Sequence, residues 1–172
     1  MIYLSNFKVA KDDPRAISIA ASNFRSGFNG PSRKDLAPKL SMVTGYKKGE
    51  MTDVEYISEY MSIVYSHDLD ALAKELDGKV LLCHCSKDEF CHRLLLGAFL
   101  NIETGIEVEE LGGFSEFYAK DFAAKVHPMD IVIHNTAHDL YGKFKNDTIV
   151  GHWRELKQMG YDVKELFCGT GL

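Results

Sequence analysis

The chain has 172 residues, 45% of them hydrophobic and 26% charged, with four prolines and a formal net charge of −5. A chain of that length buries roughly 70% of the surface its unfolded form exposes, so one compact domain needs no covalent staples, and disordered or fibrous descriptions are excluded. The acidic balance excludes a surface given over wholly to polyanions, while leaving room for a local basic cleft that holds a phosphate.

Apolar runs are only a few residues long, far short of the roughly 18 to 20 that cross a bilayer, and residues 1–7 lack a basic start followed by an apolar core. The expectation is a cytoplasmic protein with no membrane partner. Of the four cysteines, Cys83, Cys85 and Cys91 fall within nine residues and Cys168 is close to the last residue. In an unexported chain that clustering points to chemistry or metal binding more than to disulfides. No repeat, low-complexity tract or linker divides the sequence, so a single domain over residues 1–172 is expected.

In chain order, residues 2–5 and 16–20 are β-prone apolar runs of strand length, candidates for a buried sheet. Between 23 and 49, glycines and prolines alternate with Arg25, Arg33, Lys34, Lys39, Lys47 and Lys48. This reads as a basic loop with short helical pieces, one of them over 35–42. Thr52 and Glu55 stand at capping-box spacing, where hydroxyl and carboxylate each take an unpaired backbone N–H, so a helix begins there. Val54, Ile57, Met61 and Val64 then recur at helical spacing and bury one face.

A second helix over 69–76 carries Leu69, Leu72 and Leu76 on one side and stops at Gly78, which is free to take a left-handed cap. A strand over 79–85, a nearly all-apolar helix over 90–101 stopped by Gly105, and a strand over 106–110 make a βαβ unit with parallel strands. Helices over 115–126 and 148–159 and strands over 131–134 and 163–167 continue the alternation. The expected class is α/β: a single domain with a mostly parallel sheet flanked by helices.

Reactive side chains concentrate in residues 81–96, LLCHCSKDEFCHRLLL. In open α/β sheets ligands sit beyond the carboxyl ends of strands, and this loop turns from a strand into a helix, whose N-terminal N–H groups attract anions and lower the pKa of a thiol. Cys83 and Cys85 point to one face of the strand and His84 to the other. Ser86 and Glu89 also have capping-box spacing, with Asp88 as the alternative cap.

Three readings compete. In the first, Cys91 or Cys85 is a nucleophile, His92 or His84 carries a proton, and Arg93, aided by Lys87, Arg25 and Cys83, binds a phosphate-bearing substrate. The order of strand, His84-Cys85, loop and arginine resembles a cysteine phosphatase loop in outline, but seven residues rather than five separate Cys85 from Arg93, and none is glycine. In the second, Cys83, Cys85, Cys91 and His92 bind zinc, although the usual knuckle has two residues between its cysteines. In the third, Cys83 is a small core residue and Arg93 pairs with Asp88.

At these residues the chain resembles the domain-of-unknown-function 488 family over roughly residues 17–111. The likeness rests on an ISIA strand, Leu36-Ala37-Pro38, Tyr46-Lys47-Lys48-Gly49-Glu50, Glu55-Tyr56 with Tyr60, then LLC, Lys87-Asp88, Phe90-Cys91-His92-Arg93 and Val108-Glu109-Glu110-Leu111. It implies an α/β fold and makes Cys83, Cys91, His92 and Arg93 the matching positions. It implies no activity, since the family is named for lacking one. The sequence departs at His84-Cys85, where the family more often has an aromatic residue and a glutamate, which leaves open whether Asp88 or Glu89 supplies that carboxylate.

Elsewhere the basic loop carrying Arg25, Arg33 and Lys34 reads either as a phosphate clamp at the same crevice or as a solvated face. His127, His134, His138 and His152 form no HExxH pattern, Trp153 lies at core spacing with Ile149 and Leu156, and Gly169-Thr170-Gly171 is too short for a phosphate loop. The expected function is therefore a cysteine-dependent hydrolase or transferase acting on a nucleotide or nucleic acid. Its alternative is a noncatalytic zinc- or anion-binding module. No cofactor is expected under the first reading, and zinc under the second.

Overall fold

A computed structural model describes residues 1–86 and 89–113. The helices and strands expected beyond residue 113, with His127, His134, His138, His152, Trp153 and Cys168, lie outside the described residues, as do Lys87 and Asp88. The described chain runs β1 (Ile2–Asn6), α1 (Phe7–Ala10), β2 (Ala16–Ser18), a 3₁₀ turn (Lys34–Leu36), α2 (Leu40–Lys48), α3 (Asp53–Val64), α4 (Leu69–Leu76), β3 (Val80–Cys83), α5 (His92–Thr104) and β4 (Val108–Glu110).

The four strands form one all-parallel sheet in the order β2-β3-β1-β4, with helices packed on it, which is the expected α/β class. No helix of the described residues is long and apolar enough to cross a membrane. Every residue of β3 is buried, because strands lie on both of its edges and apolar clusters cover both faces of the sheet. The larger cluster joins Leu4 and Leu81 to Ile57, Tyr60 and Val64 of α3, Leu76 of α4, and Leu96 and Phe99 of α5.

The Thr52–Glu55 capping box forms as expected: Glu55 N–H donates to the Thr52 hydroxyl and Thr52 N–H to the Glu55 carboxylate. Helix α4 spans residues 69–76, and Gly78 takes φ 74, the left-handed conformation that a side chain would disfavour.

Three expectations need correction. The helical piece over 35–42 is two elements, because Pro38 drives Ala37 into extended backbone (ψ 146) and separates the 3₁₀ turn from α2. Strand β3 ends at Cys83 rather than at 85, since its partners run out there: Asn6, opposite Cys83, is the last residue of β1, and Ser18, opposite Leu82, the last of β2. Helix α5 begins at His92 with Cys91 as its N-cap residue, not at 90. Asn6 also caps an unforeseen turn of helix, its side chain accepting from Val9 N–H.

Candidate functional site

The C-terminal end of β3 and the N-terminus of α5 meet, and this junction sets the site. Cys83 closes the strand, Cys91 opens the helix, and their Sγ atoms lie 3.1 Å apart. A disulfide needs about 2.05 Å, and Cys83, Cys85 and Cys91 are all free thiols. Cys85 sits in the loop, not on the strand, yet its sulfur joins the other two: all three Sγ atoms lie within 4.8 Å of one another. Such a cluster can hold a metal ion.

Cys83 is fully buried and Cys91 nearly so, while Cys85 is half-buried. Burial pushes the Cys83 thiol up, but hydrogen bonds from Cys85 and Cys91 and the adjacent Arg93 charge outweigh it and hold Cys83 well below the ordinary thiol range. The other two move the opposite way. The contact with Cys83 raises Cys85 to about 12, and burial raises Cys91. Of the three, Cys83 is therefore the thiol that ionises first.

His92 is buried, and its ring is oriented by a carbonyl: Nε2–H donates to Ile19 O at 2.9 Å. That fixes the tautomer and leaves the Nδ1 lone pair for the Cys91 thiol, 3.6 Å away. Burial lowers the His92 pKa, so the ring stays neutral near pH 7.

Arg93 does not face a ligand. It is fully buried, and its five N–H donors meet five internal acceptors: Nε and Nη2 reach the Glu110 carboxylate at 3.2 and 2.9 Å, Nη1 reaches Cys83 Sγ and Cys85 O at 3.0 Å each, and Nη2 also reaches Ser86 O at 3.1 Å. No donor is left for a phosphate, which corrects the anion-anchor role expected of Arg93. Its ionic partner is Glu110 on β4. The Ser86–Glu89 box is half formed, Ser86 N–H donating to the Glu89 carboxylate at 2.8 Å, and it closes the loop without starting a helix.

The sulfur cluster borders a pocket of about 320 Å³, with Cys85, Cys91 and His92 among its lining. Tyr46 of α2, Tyr56 of α3 and Phe90 form one wall, their ring centroids 5.2 to 5.6 Å apart. Residues 20–22 also line the pocket, and their carbonyls are engaged in turn: Lys34 Nζ donates to Ala20 O and Ala21 O at 2.8 and 3.3 Å, and His84 Nε2–H to Ser22 O at 2.7 Å. His84 thus braces the rim while its ring meets Phe7 edge-on at 4.7 Å. Phe24 and Leu40, 72% and 66% exposed, stand at the mouth.

The chain matches no protein-family model, no curated protein and no solved structure. The site stands on its geometry.

Cys83, Cys85 and Cys91 come together, His92 reaches Cys91 alone of the three sulfurs, and Arg93 supports Cys83 as a buried donor. Arg25 is separate from the sulfurs: it is exposed, and its guanidinium lies 5.0 Å over the Phe24 ring at the pocket mouth. Lys47, Tyr46, Tyr56 and Phe90 are pocket residues that sequence spacing does not single out. Single rings at helical spacing look like core until tertiary contacts show an opening between them.

Proposed function

We propose that Cys83, Cys85, Cys91 and His92 form the metal centre of a ligand-binding module, with zinc as the ion they suit. The observation that carries this is the convergence of three sulfurs from a strand end, a loop and a helix cap within 4.8 Å of one another. Tetrahedral zinc with bonds of about 2.3 Å to sulfur needs sulfurs about 3.8 Å apart, between the 3.1 Å of the Cys83–Cys91 pair and the 4.8 Å that bounds all three. Two further features support the set. Arg93 donates an N–H to Cys83 Sγ, as a partner of a metal-bound thiolate would, and Ile19 O holds the His92 ring with Nδ1 turned to the sulfurs. A phosphate-bearing substrate anchored at Arg93 is not carried forward, because its donors are engaged.

The test is metal analysis of protein purified without added metal. The expected result is near-stoichiometric zinc, lost in Cys91→Ser and Cys85→Ser variants. Zinc-free protein that also fails to develop sulfur-to-cobalt charge-transfer absorption on titration with Co²⁺ sinks the proposal.

A second reading rests on the Cys91–His92 contact alone. A thiol bonded to an imidazole at a pocket wall and at the N-terminus of a 13-residue helix is the arrangement of a cysteine nucleophile. It predicts that iodoacetamide modifies Cys91 of metal-free protein faster than a free thiol at the same pH. The raised Cys91 pKa argues the other way, which is why the metal reading leads.

A further inference from the structure

The pocket beside the cysteines has a chemistry of its own. Its described lining is mostly aromatic and aliphatic, with Tyr46, Tyr56, Phe90 and Phe24 supplying rings and Leu40 and Val43 supplying aliphatic surface. Lys47 brings an ammonium group, and no carboxylate lines it among the described residues. Arg25 does not line the cavity itself, but its guanidinium is stacked on Phe24, which does, so it supplies a second cation next to the lining. Arg25 holds this place with φ 60, a left-handed backbone conformation uncommon for a residue with a side chain. The wall at 20–22 is fixed by Lys34 and His84, so the cavity is preformed, which lowers the ordering cost of binding. Its volume of about 320 Å³ is at the small end of ligand sites, enough for one or two fused rings with a compact substituent.

We propose that this pocket binds a small planar aromatic anion, no larger than a nucleoside monophosphate, with its ring against Tyr46, Tyr56 and Phe90 and its negative group at Lys47 and Arg25. Rings at this wall find aromatic edges and faces, and cations with no opposing carboxylate among the described residues select negative over neutral ligands. The inference places the anion at the rim of the pocket, far from the role once expected of Arg93. It stands on the cavity and its charges and holds with or without a metal ion at the cysteines.

The test is isothermal titration calorimetry on the full chain with two series of probes, nucleoside monophosphates and aromatic carboxylates, against neutral nucleosides and inorganic phosphate. One-site binding by a member of either series is expected, and the series that binds identifies the anionic group. The neutral parent should bind at least about fivefold more weakly, and Lys47→Gln should weaken the anion by a similar factor, the scale of one well-placed charged contact. Arg25→Gln, a change at an exposed residue, provides a second reading of the same effect.

Failure of every probe to bind overturns the inference. So does equal affinity for neutral and anionic rings, or unchanged affinity in the Lys47→Gln and Arg25→Gln double variant. Zinc content is measured on the same samples. Protein that holds zinc and binds no ring loses this inference and keeps the metal centre, while protein that binds a ring without zinc does the reverse.

Discussion

At the scale of single residues, Arg93 governs the local energetics. Arg93 and Glu110 form a buried ion pair whose side chains are 0% and 3% exposed. Taking two charges out of water is expensive, and removing either partner strands the other, at about 3–5 kcal/mol. Arg93→Met alone and Glu110→Met alone should each lower unfolding stability by about that much, while the double variant should lose clearly less than the sum. Urea unfolding of the four proteins measures this; strictly additive losses would show that the pair is not coupled. Arg93→Lys should not rescue the single variant, because an ammonium has three donors for the five acceptors now met. The sequence displayed Arg93 within a reactive cluster and made it look like a ligand anchor. It hid the acceptor, because Glu110 sits 17 residues on and comes beneath Arg93 only when β4 joins the sheet.

At the scale of elements, the approach of α5 to the sheet is set by Gly97. A β-carbon there would lie 2.9 Å from Val108 Cγ1 and 3.0 Å from Leu4 Cδ1, both on strands beneath the helix. Alanine is the better helix former by about 1 kcal/mol. Val108 is stiff at χ1 and Leu4 is buried in the core, so neither yields freely, and overpacking costs about 1–3 kcal/mol. Gly97→Ala should therefore destabilise, by about 1 kcal/mol net, and a rise in melting temperature would show that the helix lifts off at little cost.

The elements with strong local signals were legible. The Thr52–Glu55 box, the Leu69–Leu76 helix and the Gly78 and Gly105 stops are all encoded within a few residues. Element ends set by partners were not. Nothing in KVLLCHC tells the strand to stop at Cys83, since that limit comes from the lengths of β1 and β2. The same misjudgement put Cys85 on a strand, although its sulfur meets Cys83 by way of the loop.

At the scale of the whole molecule, the titrating groups shape the acid limb of stability in two steps, and the sign of each follows from its shift. Burial holds the folded-state pKa of His92 below the ordinary 6.5, so between those values the unfolded chain binds a proton that the folded chain refuses. Its contribution is fully present above pH 6.5 and is lost as pH falls toward the folded value, with a slope of at most about 1.4 kcal/mol per pH unit for one proton. The second step belongs to carboxylates held low by hydrogen bonds: Asp13 and Asp35 by Arg15 and Arg33, Glu55 by Thr52, and Asp77 by the chain's first amino group. Their contribution is present above their ordinary values of 3.8 and 4.5 and is lost below them, and each is small because these groups are solvated. Cys83, held low in the folded protein, contributes a separate fall as pH drops from the ordinary thiol range toward its folded value. On top of it, unfolding stability of chelator-treated protein should fall more steeply from about pH 6.5 and decline again below about pH 4.5. His92→Gln should remove the steepening that begins near about pH 6.5 and keep the decline below about pH 4.5, because glutamine cannot take the proton. A variant whose stability falls from about pH 6.5 as steeply as the wild type's would show that His92 is not the group that titrates there.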